Sequence, residues 1–128
     1  MIKNNGTSRE ILFRGKNRTT DKWVEGYYFK RDGYTLIGEE KRAGVGHYVD
    51  PETVGQYVNR TDKNGRRIFE GDIVKSEIYC DVGCYPHTET RIFRVEISDF
   101  YRRDIYGNNI EVIGNVYDNP ELLEVARR

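Results

Sequence analysis

The run from Thr53 to Lys75, TVGQYVNRTDKNGRRIFEGDIVK, constrains the fold more than any other part of the chain. It joins a strand-like segment, Val54 to Val58, to an Asn64-Gly65 turn. An apolar pair, Ile68-Phe69, follows, and a Gly71-Asp72 step leads into a third strand-like segment, Ile73 to Tyr79. Asn and Gly accept the positive φ that tight reversals require, so turn residues at this spacing fold neighbouring segments back as antiparallel strands. A mostly β chain is the consequence.

The flanking sequence continues the pattern. Glu10 to Arg14 reads as a short first strand with Ile11 and Phe13 on one side, and Gly15 to Lys22 as a polar loop. Trp23 to Lys30 carries apolar residues at both alternating sets, which predicts a strand covered on both faces over part of its length. Asp32-Gly33 is a tight turn into Tyr34 to Ile37, and Gly38 to Gly46 a charged surface loop. Asp50-Pro51-Glu52-Thr53 sets a capping carboxylate before a proline at the first helical position, which predicts a single helical turn. Asp62 to Arg66 reads as a turn in which Asn64 and Gly65 can take left-handed conformations. Arg91 to Ile97 alternates as a half-buried strand, and the stretch before it, Tyr79 to Thr90, reads as a long loop. Gly107-Asn108-Asn109 turns the chain into Ile110 to Gly114, and Asn119-Pro120-Glu121 opens a short terminal helix bearing Leu122 and Leu123.

The fold class expected is mainly β, with α+β as the alternative. One domain over 1–128 would hold two lobes sharing a core: a twisted antiparallel sheet over about 9–58, and a small SH3-like barrel unit over about 60–125 closed by the helix. Gly71-Asp72 before a β-branched strand resembles the strand entries of such barrels.

At 128 residues, with 37% apolar and 33% charged residues, the core must be thin, and the ten Tyr are expected to supply much of its area. No segment approaches the roughly 20 apolar residues of a spanning helix, and no apolar leader follows Met1, so the cytoplasm of a host cell is the expected compartment and no membrane partner is expected. A formal net charge of zero argues against a strongly basic nucleic-acid binder. The charge is unevenly spread, however. From Arg9 to Arg31 seven basic residues face three acidic ones, from Arg60 to Arg67 four face one, and from Ile105 to Glu124 there are four acids and no base. Solvated surface charge is the simpler reading of these segments.

Three kinds of chemistry have candidate residues. Cys80, Cys84 and His87 form a C-x3-C-x2-H cluster that could hold zinc if His47 or a neighbouring subunit supplied a fourth ligand. Ordinary reduced cysteines at a hairpin tip explain the same residues, so no cofactor is expected. Asp62, Glu70 and Asp72 bring carboxylates near one turn, but Asp62 and Asp72 suit turn bracing, and no phosphate loop, nucleophile elbow or zinc-protease helix occurs. The chain is not expected to be an enzyme. For nucleic acid, basic and aromatic residues are interleaved: Arg14, Lys16, Arg18, Tyr57, Arg60, Arg66 and Arg67 are the named candidates, with Trp23, Tyr27, Tyr28 and later Tyr101, Arg102 and Arg103 in similar company.

Thr61 to Val74, which reads Thr-Asp-Lys-Asn-Gly-Arg-Arg-Ile-Phe-Glu-Gly-Asp-Ile-Val, resembles a segment of the YopX-like proteins of phages and prophages. So do Arg9 to Gly15, Trp23 to Tyr28, Asp50 to Tyr57 and Val112 to Leu123. Cys80, Cys84 and His87 fall in a stretch that resembles the family's variable loops. The resemblance implies a small accessory protein made inside a bacterial host, and it brings no catalytic residues. The function expected is a non-enzymatic module that binds a host or phage protein, with self-association as a variant. A weak nucleic-acid-binding small β-barrel is the alternative.

Overall fold

The computed structural model describes residues 10–39, 44–80, 85–97 and 109–126. The chain divides into two compact units, 1–59 and 60–128. Nine strands, one 3-10 turn and one short helix are described, so the chain is mainly β.

In the first unit the strands are β1 (Phe13–Lys16), β2 (Trp23–Arg31), β3 (Tyr34–Gly38), β4 (Gly46–Tyr48) and β5 (Gly55–Thr61), the last running just across the boundary. Their spatial order is β4-β3-β2-β1-β5. Asp32 and Gly33 both take positive φ, 52° and 84°, so the β2–β3 turn has the twist that matches its strands. It pairs Arg31 with Tyr34 and Tyr27 with Gly38. Gly26 lies so close to β3 that an added Cβ would overlap the Gly38 carbonyl oxygen. Gly15 likewise leaves room for Val49. Leu12, Leu36, Ile37, Val49 and Val58 are each about 1% exposed and form this unit's buried apolar set. The helical turn expected after Asp50 is present as Pro51–Thr53, where the Asp50 carboxylate accepts from the Glu52 N–H at 3.1 Å.

The second unit contains β6 (Arg67–Phe69), β7 (Asp72–Cys80), β8 (His87–Arg94), β9 (Ile110–Asn115) and α1 (Glu121–Ala126). Strands β8, β7 and β9 form a three-stranded antiparallel sheet in that order. Among the described residues these strands are not closed into a barrel. Ile68, Phe69, Ile73, Val74, Val95, Ile110 and Val112 are buried.

Several expectations need correction. The first strand starts at Phe13, not Glu10, and a short strand, β4, begins at Gly46, the last residue of the expected loop. β2 is open on both faces at its middle, where Tyr27 is 52% exposed and Tyr28 41%, while Trp23 and Val24 at its start are half-buried. The tyrosines do not build the core either, since none of the eight described ones is buried, and aliphatic residues with Phe69 take that place. In the Asp62 turn only Gly65 has positive φ. Within the long loop expected from Tyr79 to Thr90, β7 continues to Cys80 and β8 starts at His87, so paired strands take its two ends. β8 then ends at Arg94, and Ile97 is 41% exposed. Part of the Gly38 to Gly46 loop, most of the turn at Gly107-Asn108-Asn109, and Cys84, Tyr101, Arg102 and Arg103 lie outside the described residues.

Candidate basic and aromatic surface

Side chains on a strand alternate between faces, so Trp23, Glu25, Tyr27, Phe29 and Arg31 share one face of β2. The register adds residues from neighbouring strands to that face. Lys16 lies opposite Trp23 and Arg14 opposite Glu25. Tyr34 lies opposite Arg31, and Tyr48 opposite Leu36, which faces Phe29. Arg14 pairs with Gly55, which places Tyr57 on this face as well.

Cations lie over the rings of this face. The Arg14 guanidinium is 4.6 Å from the Trp23 ring centre and the Lys16 ammonium 5.8 Å. Arg18 lies 5.9 Å over Tyr34, and Arg31 lies 5.4 Å over Phe29. Tyr34 meets Tyr48 edge to face at 5.5 Å. Phe29 is held against the sheet because Gly38 and Gly46 have no side chains: a Cβ on either would come within about 3.0 Å of its ring. Arg14 is half-buried, with guanidinium nitrogens screened from solvent, so it supports the Trp23 ring more than it faces water. Arg18 and Arg31 are exposed. These contacts order the cations without neutralising them.

Beside Trp23 is an open hollow of about 490 Å³ lined by Lys16, Asn17, Arg18, Asp21, Asp50 and Pro51. Local hydrogen bonds build its wall. The Asn17 side-chain oxygen accepts from the Thr19 and Thr20 N–H groups at 2.8 and 3.2 Å, and the Asp21 N–H donates to the Asn17 carbonyl. Asp21 has a φ of 61°, a region that Asp tolerates better than most residues. The Lys16 N–H donates to Thr53 Oγ1 at 2.9 Å, and that hydroxyl donates to the Asp50 carbonyl, tying β1 to the 3-10 turn. The Lys16 ammonium is 3.5 Å from the Asp21 carboxylate.

Of the residues expected to bind nucleic acid, Arg14, Lys16, Arg18 and Tyr57 are thus gathered on the first unit. Arg60 at the end of β5, Arg66 in the turn after it and Arg67 at the start of β6 belong to the second unit, and Arg66 is partly committed: its N–H donates to Asp62 and its guanidinium to the Val112 carbonyl at 3.4 Å. The sequence reading missed Tyr34, Tyr48 and Arg31. The 31–34 pairing follows from the Asp32-Gly33 turn and was available, whereas Tyr48 depended on β4, a three-residue strand without its own signal.

The other candidates have structural settings. Asp62 accepts from the Asn64 and Arg66 N–H groups, both at 2.9 Å, and from the Val112 N–H at 3.0 Å. Burial alone pushes its pKa up, but these three donors and the Arg66 charge outweigh that and hold it below the ordinary carboxylate value. Asp72 accepts from the Phe69 N–H at 2.8 Å across the Gly71 step, where φ is 89°. Asn115 accepts from the Tyr117 and Asp118 N–H groups, and Asn119 fits against Gly114. Backbone bracing thus accounts for much of the polar content of both motifs.

Cys80 lies opposite His87 on the β7–β8 pair. His87 contacts the Tyr85 carbonyl through Nδ1 at 3.0 Å and Glu89 through Nε2 at 3.1 Å, and these acceptors, the Tyr85 carbonyl first, raise its pKa. His47 contacts Glu39 at 3.3 Å in the first unit. Among the described residues no group of three or more His, Cys, Asp or Glu side chains is placed to hold a metal, and no helix there is long and apolar enough to cross a membrane.

No curated protein matches the chain. A solved structure, that of protein EF1440 from Enterococcus faecalis, aligns with 91% of this chain and 99% of its own at 21% identity, with a TM-score of 0.44. The family model described as YopX protein matches residues 8–124, nearly the whole span that carries the strands, turns and terminal helix above, and the chain belongs to the YopX family.

Proposed function

We propose that this phage-type protein is a non-enzymatic binding module whose first unit contacts single-stranded nucleic acid across the β1–β4 sheet face. The observation that carries the reading is the set of cations lying over aromatic rings on that face, with Arg18 over Tyr34 and Arg31 over Phe29 both exposed. Bases stack on aromatic faces and on guanidinium planes, and phosphates follow the cations between them. The face offers both on a sheet that its glycine contacts hold in place. Local charge leans positive across the face: Arg14, Lys16, Arg18 and Arg31 stand near Glu25, Asp21 and Asp50, and the carboxylates Asp21 and Asp50 gather at the hollow by Lys16 while Arg31 lies away from it.

Fluorescence anisotropy of a labelled single strand at low salt tests this. Binding is expected for the parent, and Arg18→Glu with Arg31→Glu should abolish it while leaving the melting temperature nearly unchanged. Retained binding by that double variant would rule out the face as the contact surface.

A protein partner is the second reading, and a different observation favours it. Ile11 is 63% exposed, and Phe13 and Tyr28 form a ring pair at 5.5 Å with Tyr28 41% exposed, on the face opposite Arg14. Exposed aromatic residues of this kind anchor protein interfaces. A pull-down from host lysate that is lost on Tyr28→Ser but kept in Arg18→Glu would separate this surface from the basic one.

A further inference from the structure

The hollow beside Trp23 is poorly suited to a bare phosphate. Its two cations, Lys16 and Arg18, are matched by two carboxylates, Asp21 and Asp50, so an anion would be attracted and repelled about equally. A ligand edge carrying donors beside an acceptor would satisfy both signs. The Lys16 ammonium and the Asp21 carboxylate stand side by side at 3.5 Å, with the Asp21 side chain 83% exposed. Asp50 has one oxygen on the Glu52 N–H. Arg18 lies over Tyr34 and has no side-chain hydrogen bond or ion pair among the described residues.

We propose that this hollow seats a guanine base, an assignment that rests on the sheet face being a single-strand surface. Guanine's pairing edge sets the O6 acceptor beside two adjacent donors, N1–H and the N2 amine. O6 accepts from the Lys16 ammonium, and the two donors reach the two oxygens of Asp21. Thymine and uracil offer one donor between two acceptors. Adenine and cytosine offer an exocyclic amine beside a ring acceptor. None of these gives a carboxylate two adjacent donors. Phosphates on either side then meet Arg18 and Arg31, which carry the sequence-independent part of the contact.

Trp23 is the only tryptophan, and Lys16 of the hollow lies over its ring, so its emission reports occupancy. The full chain is titrated with a short oligothymidylate, with the same strand carrying a central guanine, adenine or inosine, and with guanosine monophosphate alone. The guanine strand is expected to bind roughly ten-fold more tightly than oligothymidylate. The inosine strand, lacking the N2 amine, recovers only part of that gain. Asp21→Asn tolerates the same backbone region and should bring the guanine strand to the oligothymidylate level without weakening oligothymidylate itself. Lys16→Gln gives a second check on the same preference. Equal affinity for all the strands overturns the guanine assignment and leaves the sheet-face reading standing. No change with any strand or with the mononucleotide overturns both. A mononucleotide that binds as tightly as the guanine strand keeps the guanine seat and overturns the strand reading.

Discussion

Asp62 shows at residue scale how a family motif can be polar without being catalytic. Its carboxylate is only 6% exposed and closes the turn after β5 while fastening β9 through Val112. Removing it leaves the buried Val112 N–H without its acceptor, so Asp62→Ala should cost about 2–4 kcal/mol in urea unfolding at neutral pH. The pH dependence has a fixed sign. The folded-state pKa lies below the ordinary value of 3.8, so the stabilisation is fully present above the unfolded-state value and is lost as pH falls through the folded one. Parent and Asp62→Ala should therefore differ in neutral solution and converge in acid. A gap between them that stays constant from neutral pH into strong acid would show that the carboxylate's charge plays no part. The role of Asp62 was legible from its place before Asn64-Gly65, because a turn Asp bonds to backbone two residues ahead. Its bond to Val112, fifty residues away, was not, since nothing local records a long-range partner.

At the scale of elements, hairpin chemistry was the most legible part of the sequence, and exposure the least. Asp32-Gly33 gave β2 and β3 because a two-residue turn fixes register. Alternation in β2 then suggested two covered faces, but alternation records which side chains share a face and not what lies over them. Tyr adds to the ambiguity, being large enough for a core and polar enough to stay wet. β4 and the first half of β8 were missed because GHY and HTET are short on apolar periodicity and are held as strands by their partners. Glycines show the same division between local and tertiary causes. Gly33 has a φ of 84° and open space around it, so Gly33→Ala carries only backbone strain, about 1–2 kcal/mol. Gly26 carries no turn signal, yet its added Cβ would overlap the Gly38 carbonyl oxygen. The backbones of β2 and β3 must move apart to admit it, so Gly26→Ala should cost more than about 3 kcal/mol. Thermal melts of the two variants decide the matter: a Gly26→Ala protein as stable as Gly33→Ala would mean that β2 and β3 do not approach this closely.

For the whole molecule, zero net charge conceals a division that matters for binding. Residues 1–59 hold ten Lys and Arg against eight Asp and Glu, whereas residues 60–128 hold eleven against thirteen. The basic segment from Arg9 to Arg31 was visible in the sequence. The gathering of Arg14, Lys16, Arg18 and Arg31 on one sheet face was not, because that needed the pairing of Lys16 with Trp23 and the return of Tyr34 and Tyr48 beside Arg18. The same arrangement limits how strong an electrostatic contact can be. Arg14 is screened from solvent and Lys16 already faces Asp21, so in the proposed strand contact Arg18 and Arg31 would meet most of the phosphates, with a part share from Lys16. Two to three neutralised phosphates on a single strand correspond to a slope of about −1.5 to −2 in log K against log salt. Anisotropy titrations over a salt series should give that slope for the parent, and Arg18→Gln should make it shallower by about 0.7. A much steeper slope would require cations beyond this face, with Arg60, Arg66 and Arg67 the first to substitute. A slope of zero would mean that whatever binds there is held by stacking and hydrogen bonds without phosphate contacts.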